Sequence, residues 1–396
     1  MKITSIKTYQ LKCNYDQEHV FSDAMGTNSG RQALLIKIET DDDIYGIGEA
    51  WSYGSPTQVQ AEIIKKQFEP MLLGEDPTSI EKLYQRMYWR TIAHGRRGLI
   101  LGAISGIDIA LWDILGKACH MPIYKLLGGN SNIVPSYASG GFYFHTKKYS
   151  LKEAIQGWKQ KGYQTYKIKV GRVNDVDGTP CKYSADHSAS LGIKEDIDRI
   201  VLLRKLVGSD KRIIIDCNSA WTTEVFNLVA DKLKEIKLTC LEEPYPFENT
   251  EGYEKIHEVF PELEIMGFEG EQNIFNFSKV IKSHYIDVLE PDIGWCGGFT
   301  AAKKIAAEAE SHFKKISMHS FGSAVHFAAS LQMAAAIPNA YPVEDEVNYN
   351  PLRTDIIKNK FNTDSSMNYI LSSTKPGLGI DIDWANVKKF EIAGEK

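Results

Sequence analysis

The amino-acid sequence predicts an α/β barrel preceded by a smaller α+β domain. The first observation is a set of eight short apolar segments between residues 134 and 346 that alternate with stretches of helical spacing. Such alternation predicts βαβ units, and eight parallel strands are enough to close a barrel. The second observation is the length of 396 residues, which allows two or three domains, or one barrel with an accessory part.

The first part of the chain has the pattern of strands followed by helices. Residues 31–40 (RQALLIKIET) and 44–51 (IYGIGEAW) are strand-like and are joined by three consecutive aspartates, which is typical of a hairpin. Three stretches with helical spacing follow, at 57–72, 79–93 and 102–120. This part is therefore predicted to be an α+β unit of roughly 120 residues.

The barrel strands are predicted where short apolar runs recur. In order, these runs are VPSYASG, QTYKIKV, RIIIDCN, LTCLEEP, EIMGFEGE, YIDVLEPD, KKISMHS and AYPVEDE. One insertion, residues 172–192, is rich in Asp, Ser and Gly and is expected to be a loop near the second strand. From about residue 350 the pattern becomes irregular, and we expect this segment to return to the first domain.

Composition argues against several classes of protein. A net charge of −5 with no polybasic run argues against a nucleic-acid-binding protein. No window reaches about 18 consecutive apolar residues, so no membrane span is expected. The six cysteines show no C-x-x-C pair, and the N-terminus alternates like a strand rather than resembling a signal peptide. We therefore expect a cytoplasmic protein.

Two lysines in the second barrel strand indicate an anionic environment. Lys167 and Lys169 are two residues apart in TYKIKVG, so they point to the same side of a strand. Burying two ammonium groups together is costly unless an anion meets them. Each charge would also lower the pKa of the other, which suits a lysine that acts as a base near neutral pH.

Ionisable residues end six of the predicted strands. Their numbers differ by 21 to 29, about one strand–helix unit each: Asp216, Glu242, Glu271, Asp292, His319 and Glu344. In a parallel barrel the carboxyl ends of all strands meet at one face, where active sites are built. The six side chains and the two lysines are therefore expected in one pocket.

Three of these acids are candidates for a metal site. Asp216, Glu242 and Glu271 would repel each other unless a cation joined them, and hard oxygen ligands suit Mg²⁺. Any one of them alone could equally be a helix N-cap, but their recurrence on three consecutive units favours the metal site. Asp292 could orient His319, which we prefer to His312 and His326 because those two lie in predicted helices.

These motifs are similar to those of the mandelate racemase subgroup of the enolase superfamily. The N-terminal part contains IYGIGEA and SGIDIALWDILGKACHMPIYKLLGG, and the barrel contains KIK, DCN, LEEP, GE, PDIGWCGGFT and MHSFGSA in that order. The resemblance covers almost the whole chain. It implies a modified TIM barrel of (β/α)7β type at 126–350, an N-terminal α+β capping domain at 1–125, and a C-terminal segment, 351–396, that completes the capping domain.

The resemblance also implies residue roles. One Mg²⁺ per subunit would be held by Asp216, Glu242 and Glu271. For the third ligand FEGEQN also offers Glu269, but Glu271 fits the family spacing better. Asn218 would lie near the metal.

On one face of the substrate Lys169 would be a base, and Lys167 would tune it and contact the substrate carboxylate. His319, paired with Asp292, would be the acid or base on the opposite face, and Glu344 would hydrogen-bond the enolate oxygen. Phe21 and Met25, in a loop expected to cap the pocket, would contact the substrate. Arg31, Arg96 and Arg97 are further cationic candidates near the mouth, with simple surface solvation as the alternative.

The implied reaction is abstraction of the proton α to a carboxylate through an enediolate, with dehydration of an aldonate or aldarate acid sugar as the preferred outcome. Racemisation or epimerisation of a 2-hydroxy acid and cycloisomerisation of a sugar lactone are alternatives that share this intermediate. A sugar-acid-binding protein without activity is the non-enzymatic alternative, but it would be expected to have lost Lys169, His319 or a metal-binding acid. The expected partner is a small carboxylate, and relatives of this kind imply a homo-oligomer.

Overall fold

The computed structural model describes residues 1–129, 131–144, 150–171 and 188–392, without the side chains of 188–191. Within these residues the chain forms an N-terminal α+β part, an eight-stranded barrel and a C-terminal segment that returns to the first part. The predicted α/β barrel is confirmed. Residues 172–187 of the predicted insertion lie outside the described residues, and the domain boundaries stay predictions.

The N-terminal part holds a three-stranded antiparallel sheet, a short hairpin and five helices. Its strands are β1 (Ile3–Asn14), β2 (Phe21–Asp23), β3 (Gly26–Asn28), β4 (Gly30–Thr40) and β5 (Tyr45–Ala50). Its helices are α1 (Thr57–Ile63), α2 (Glu69–Leu72), α3 (Ile80–Gly95), α4 (Leu99–Ala118) and α5 (Ile123–Leu126), with a π-helical stretch at Ile64–Phe68. The sheet order is β1-β4-β5, and β4 and β5 form the hairpin that the acidic turn predicted.

Helix α4 is the central helix of this part. By length and mean hydropathy it is the one helix in the described ranges that could cross a membrane, but 78% of its apolar window is buried inside the protein. It lies very close to β5, because a Cβ at Gly48 would come 2.0 Å from the carbonyl oxygen of Gly106. Its other side reaches the barrel, where Asp108 Oδ2 accepts a hydrogen bond from Thr300 N at 3.0 Å. The helix therefore connects the sheet to the barrel.

The remainder of the chain alternates strands with helices. Its strands are β6 (Ile133–Val134), β7 (Ser136–Gly140), β8 (Tyr143–Phe144), β9 (Thr165–Lys169), β10 (Arg212–Asp216), β11 (Cys240–Glu242), β12 (Glu264–Gly267), β13 (Val288–Leu289), β14 (Lys315–Ile316), β15 (Val343–Glu346) and β16 (Tyr369–Ile370). Its helices are α6 (Leu151–Lys161), α7 (Ser188–Val207), α8 (Thr223–Ile236), α9 (Thr250–Val259), α10 (Ile274–Ile281), α11 (Gly298–Ser311), α12 (Ala324–Ala336), α13 (Pro351–Thr354) and α14 (Trp384–Phe390).

Eight of these strands form the barrel. They are parallel, in the order β14-β13-β12-β11-β10-β9-β7-β15, and a bridge between Ile316 and Ala340 joins the two ends. Helices α6 to α12 lie between successive strands, which is the expected (β/α)7β arrangement. An apolar layer fills the barrel on the amino-terminal side of the strand-end residues: Tyr137, Ile214, Cys240, Met266, Val288 and Tyr341.

Two further segments tie the parts together. The hairpin β2–β3 pairs antiparallel with β8, which follows the first barrel strand, so the hairpin lies over the carboxyl end of the barrel. In the C-terminal segment β16 pairs with β6, and Ile392 N donates to Gln10 O in β1 at 2.8 Å. The N-terminal part thus covers the barrel mouth, and the chain end closes back onto it.

Candidate active site

The ends of three adjacent strands bring charged side chains side by side. Lys169, Asp216 and Glu242 are the last residues of β9, β10 and β11, and the parallel register aligns Asp216 with both of the others. All three are buried. The convergence that the sequence predicted at the carboxyl ends of the strands is therefore present for these three residues.

An acidic triad lies at this point. Asp216, Glu242 and Glu269 each offer a carboxylate oxygen within 4.8 Å of the other two. Burial, followed by the charge of Asp216, raises the pKa of Glu242, and Glu242 Oε2 makes no hydrogen bond within the described structure. Three buried carboxylates, of which Glu242 and Glu269 each have an oxygen without a hydrogen bond among the described residues, are the hard donor set that Mg²⁺ prefers. The residues present therefore fit this ion.

The third member of the triad is Glu269, so the expectation of Glu271 is corrected. After β12 the backbone of Phe268 is left-handed, with φ of 69°, and Glu271 N donates to Phe268 O at 3.1 Å. This turn breaks the strand alternation that would have put both glutamates on one side. Glu269 points into the barrel, whereas Glu271 Oε2 lies 2.6 Å from Arg97 Nη2.

A second glutamate fixes the loop that carries Glu269. Glu243, the second glutamate of LEEP, accepts hydrogen bonds through Oε1 from Phe268 N at 3.0 Å and from Glu269 N at 3.1 Å. Glu243 is not among the site residues predicted from the sequence. Its position directly after Glu242, at the end of the neighbouring strand, was the available signal.

The two lysines meet the acids that the sequence required of them. Lys167 is fully buried, and its Nζ lies 2.6 Å from Glu242 Oε1, 2.8 Å from Glu344 Oε1 and 3.6 Å from Asp216 Oδ2. Lys169 pairs with Asp216. Burial and the charge of Lys167 lower the pKa of Lys169, as expected between two lysines, but Asp216 raises it, and the net pKa lies above the ordinary value.

A chain of two histidines and one aspartate forms the other side of the site. His319 Nδ1 lies 2.7 Å from Asp292 Oδ2, and His326 Nε2 lies 2.7 Å from Asp292 Oδ1. Burial raises the pKa of Asp292, but the charge of His326 and the hydrogen bond from His319 lower it to a net value of about 2. Burial lowers the pKa of His319, whereas the charges of Glu269 and Glu344 raise it to a net value of about 10. His319 therefore carries a proton at neutral pH.

His326 was set aside in the sequence analysis because it lies in a helix. It is the third residue of α12, which begins just after the β14 loop, so it lies at the carboxyl face of the barrel. Its side chain is fully buried. A signal existed in the sequence, since the first turn of each helix in a βα unit faces the same end as the strand before it.

The N-terminal part contributes two further groups. Glu49 of β5 accepts hydrogen bonds from Ser323 N at 2.9 Å and from His326 N at 3.0 Å, so it caps helix α12. The ring of Tyr53 stacks on His319, with centroids 6.2 Å apart and planes inclined by 12°. Neither contact was predicted, because each joins residues more than 250 positions apart.

A cavity of about 440 Å³ opens above these groups. Its walls include Lys169, Glu269 and His319 from the barrel and Met25 from the hairpin. Lys169 ends β9 and His319 follows β14, which are three strands apart around the barrel, so they enter the cavity from different sides. Met25 is 54% exposed and lines the cavity, and its contact with a substrate stays a prediction.

Other predicted residues differ in their placement. Phe21 is wholly buried, with its ring 4.4 Å from that of Phe142, so the expected substrate contact is wrong: no surface of Phe21 reaches the cavity. Asn218 is buried beside the triad, where its N donates to Asp216 Oδ1 at 2.9 Å and its side-chain amide has no partner among the described residues. Arg31 lines the cavity and is 5% exposed, so it is not a solvated surface residue.

Glu344 is held on both sides of its carboxylate. Its Oε1 accepts a hydrogen bond from Ser139 Oγ at 2.6 Å, in addition to the contact with Lys167, and its Oε2 accepts one from Ser320 N at 3.1 Å. Burial raises its pKa, but the charges of Lys167 and His319 lower it further, to a net value below the ordinary one. The side chain is therefore ionised.

Comparisons with known proteins agree with this architecture. A family model described as mandelate racemase / muconate lactonizing enzyme, N-terminal domain, matches residues 6–128, and one described as enolase C-terminal domain-like matches 150–386. Arabinonate dehydratase of Saccharolobus solfataricus is 30% identical over 394 residues and aligns over 96% of both chains. D-galactarolactone cycloisomerase of Agrobacterium fabrum is 30% identical over 99% of both chains. A crystal structure of an enolase superfamily member from Polaromonas sp. JS666 superposes with a TM-score of 0.87 at 30% identity, over 99% of this chain and 98% of that one.

Proposed function

Because the chain belongs to the mandelate racemase and muconate lactonizing enzyme family of the enolase superfamily, we propose that it removes the proton α to a carboxylate and dehydrates an acid sugar. One observation carries the proposal: Lys169, Glu269 and His319 line a single cavity. Two proton-transferring groups that enter from different sides suit a reaction in which one proton is removed and another is delivered.

In the proposed reaction Lys169 Nζ takes the proton from the α-carbon, which requires that the amine first lose the proton that its pairing with Asp216 stabilises. A cation held by Asp216 would weaken this pairing and favour the neutral amine. His319 gives its Nε2 proton to the β-hydroxyl, the Cβ–O bond breaks, and water leaves as the Cα–Cβ double bond forms. The resulting enol rearranges to a 2-oxo-3-deoxy acid. Asp292 orients the ring of His319 through Nδ1, so Nε2 is the nitrogen proposed to deliver the proton.

Lys167 and Glu344 support the charge that develops on the substrate. Lys167 is proposed to contact the substrate carboxylate and to tune Lys169. Glu344 is proposed to contact the enolate oxygen. Because Lys167 and His319 keep Glu344 ionised, that contact requires a proton shared with one of these two neighbours.

Asp216, Glu242 and Glu269 are the residues proposed to hold one Mg²⁺ per subunit, with Asn218 beside them. When bound, the ion would offset the charge of the triad and stabilise the negative charge that develops on the substrate.

The chain offers a matched test, since Glu269→Gln and Glu271→Gln make the same change two residues apart. We expect Glu269→Gln to weaken Mg²⁺ binding by about 100-fold in calorimetry. Glu271→Gln loses only the ion pair with Arg97, and we expect it to bind Mg²⁺ nearly as tightly as the wild type does. Equal effects would contradict the assignment.

Deuterium exchange tests the reaction itself. The protein is incubated with Mg²⁺ and a panel of acid sugars in D₂O, and products are followed by NMR. We expect a 2-oxo-3-deoxy acid from at least one substrate, with deuterium from solvent. A protein that only binds sugar acids would be thermally stabilised by a ligand without any exchange or product, and that result would refute the proposal.

Cycloisomerisation of a sugar lactone is the second candidate, because the Agrobacterium cycloisomerase aligns over the whole chain. Racemisation or epimerisation would use the same first step. The same NMR experiment separates them: a cycloisomerase gives an isomer of the lactone, and a racemase or epimerase gives the epimeric acid with deuterium at the α-carbon, in both cases without loss of water.

We also propose a cytoplasmic homo-oligomer. The five cysteines that the structure describes are all free thiols, which suits a reducing compartment.

Trp89 and Phe275 flank Tyr88 and are 56% and 53% exposed. Their ring centroids lie 5.5 and 6.2 Å from that of Tyr88, and this exposed aromatic cluster supports an interface between subunits. Light scattering should give a mass that is a multiple of 44.5 kDa, and a monomer would refute the oligomer.

A further inference from the structure

One buried acid in the cavity has no part in the proposed reaction. Asp23 ends strand β2 in the hairpin over the barrel mouth, lines the cavity and is 4% exposed. No salt bridge to it occurs in the described part of the chain. A buried carboxylate without a counter-ion is costly unless it has a hydrogen-bonding purpose.

The hairpin holds this carboxylate in place. Asp23 Oδ1 accepts hydrogen bonds from Met25 N at 2.8 Å and from Gly26 N at 3.1 Å, so two backbone amides of the turn fix its direction. Asp23 Oδ2 has one long contact, 3.4 Å, from Asn28 Nδ2. The second oxygen therefore retains capacity to accept hydrogen bonds from a ligand.

The buried cations of the cavity wall are already engaged, and the exposed one lies at the rim. Lys169 lines the same cavity as Asp23 and is paired with Asp216. Arg31 Nη2 is 2.8 Å from Glu346 Oε1, and its guanidinium lies 3.9 Å from the centre of the Phe321 ring. Lys12, at the rim, is exposed. The other polar side chains of this part of the wall, among the described residues, are neutral: Asn14, Thr27, Asn28, Ser29, Gln32 and Ser52.

We propose that Asp23 accepts hydrogen bonds from substrate hydroxyls and rejects a second carboxylate, so that the site takes monocarboxylic polyhydroxy acids (aldonates) and not dicarboxylic ones (aldarates). The inference rests on the proposed function, since the first carboxylate is assumed to bind next to Lys167 and the Mg²⁺ that the acidic triad would hold. A hydroxyl at the other end of the substrate can donate a hydrogen bond to the Asp23 carboxylate. A carboxylate in its place would bring two like charges together while the buried cations of the wall, Lys169 and Arg31, are already paired with Asp216 and Glu346, which lowers affinity.

The test compares aldonate and aldarate of the same carbon number and configuration, with Mg²⁺ present. For the wild type we expect kcat/KM for the aldonate to exceed that for the aldarate by at least about 100-fold. Asp23→Asn should reduce this ratio by about tenfold or more, because it weakens the hydrogen bonds and removes the repulsion. Asp16→Asn is the matched control, since Asp16 is 64% exposed and does not line the cavity, and it should leave the ratio unchanged.

Binding separates this inference from the proposed function. With Lys169→Met, dissociation constants for the same pair are measured by calorimetry in the presence of Mg²⁺. If no acid sugar is turned over but the aldonate still binds more tightly, the proposed function fails and the inference stands. If the wild type binds or turns over the aldarate as well as the aldonate, or if Asp23→Asn leaves the ratio unchanged, the inference is overturned. Should Asp23→Asn not fold, the wild-type ratio decides alone.

Discussion

Asp108 provides a prediction whose size follows directly from the structure. It lies in helix α4, is fully buried, and accepts a hydrogen bond from Thr300 N through Oδ2, while Oδ1 has no partner among the described residues. Burial raises its pKa from 3.8 to about 7, with Thr300 opposing the shift. The folded protein thus binds this proton more tightly than the unfolded chain does. The associated stability is fully present below about pH 4 and is lost as the pH rises through about 7.

The difference between the two pKa values corresponds to about 4 kcal/mol. Between about pH 5 and about pH 8.5 the loss is about 3 kcal/mol, because part of the difference has already been lost at pH 5. Asp108→Asn removes the titration and keeps an oxygen for Thr300 N. The free energy of unfolding of the variant, relative to the wild type, should therefore rise by about 3 kcal/mol over this range.

Urea unfolding followed by circular dichroism, at both pH values and for both proteins, measures this change. The constant cost of an unpaired amide group cancels in the comparison, because only the pH dependence of the difference is used. A difference between variant and wild type that is the same at both pH values would refute the reasoning, since Asp108 would then not titrate in this range.

Three further results are expected from the site. Lys169→Met should lower turnover by at least about 100-fold while Mg²⁺ binding is retained; turnover that survives for every substrate would mean that Lys169 is not the base. His319→Asn should stop release of water, and product formation at the wild-type rate would exclude His319 as the acid. His326→Ala should lower kcat by roughly 10- to 100-fold with little change in KM, because Asp292 loses one hydrogen-bond partner and positions His319 less well. His326→Gln keeps a side-chain donor and should recover part of the lost kcat. An equal loss of kcat in both variants would contradict a positioning role for His326.

The barrel could be predicted from the sequence because its strands are short, buried and apolar, and each recurs after an amphipathic helix. The same regularity predicted Asp216 and Glu242 correctly as neighbours. Both are the last residues of adjacent parallel strands, and the register of such strands places their ends in one row. Strand ends in a parallel barrel are therefore positions where sequence order determines spatial order.

The sequence could not predict what depends on loop conformation. The choice between Glu269 and Glu271 depended on the left-handed backbone of Phe268, which bulky residues seldom adopt and which no pattern indicates. The burial of Phe21 depended on the pairing of β2 with β8, more than 100 residues away. His326 was missed because a helical position was taken as evidence against function, although the first turn of α12 faces the site.

The cap that Glu49 places on helix α12 has a consequence for how the two regions of the chain can be separated. A barrel produced alone would start that helix with unpaired amides directly beside the imidazole pair. The side of the site that holds His319 and His326 is thus assembled across the boundary between the two regions. Joining this barrel to the N-terminal region of a homologue would keep the cap only if that region carries a glutamate at the same place.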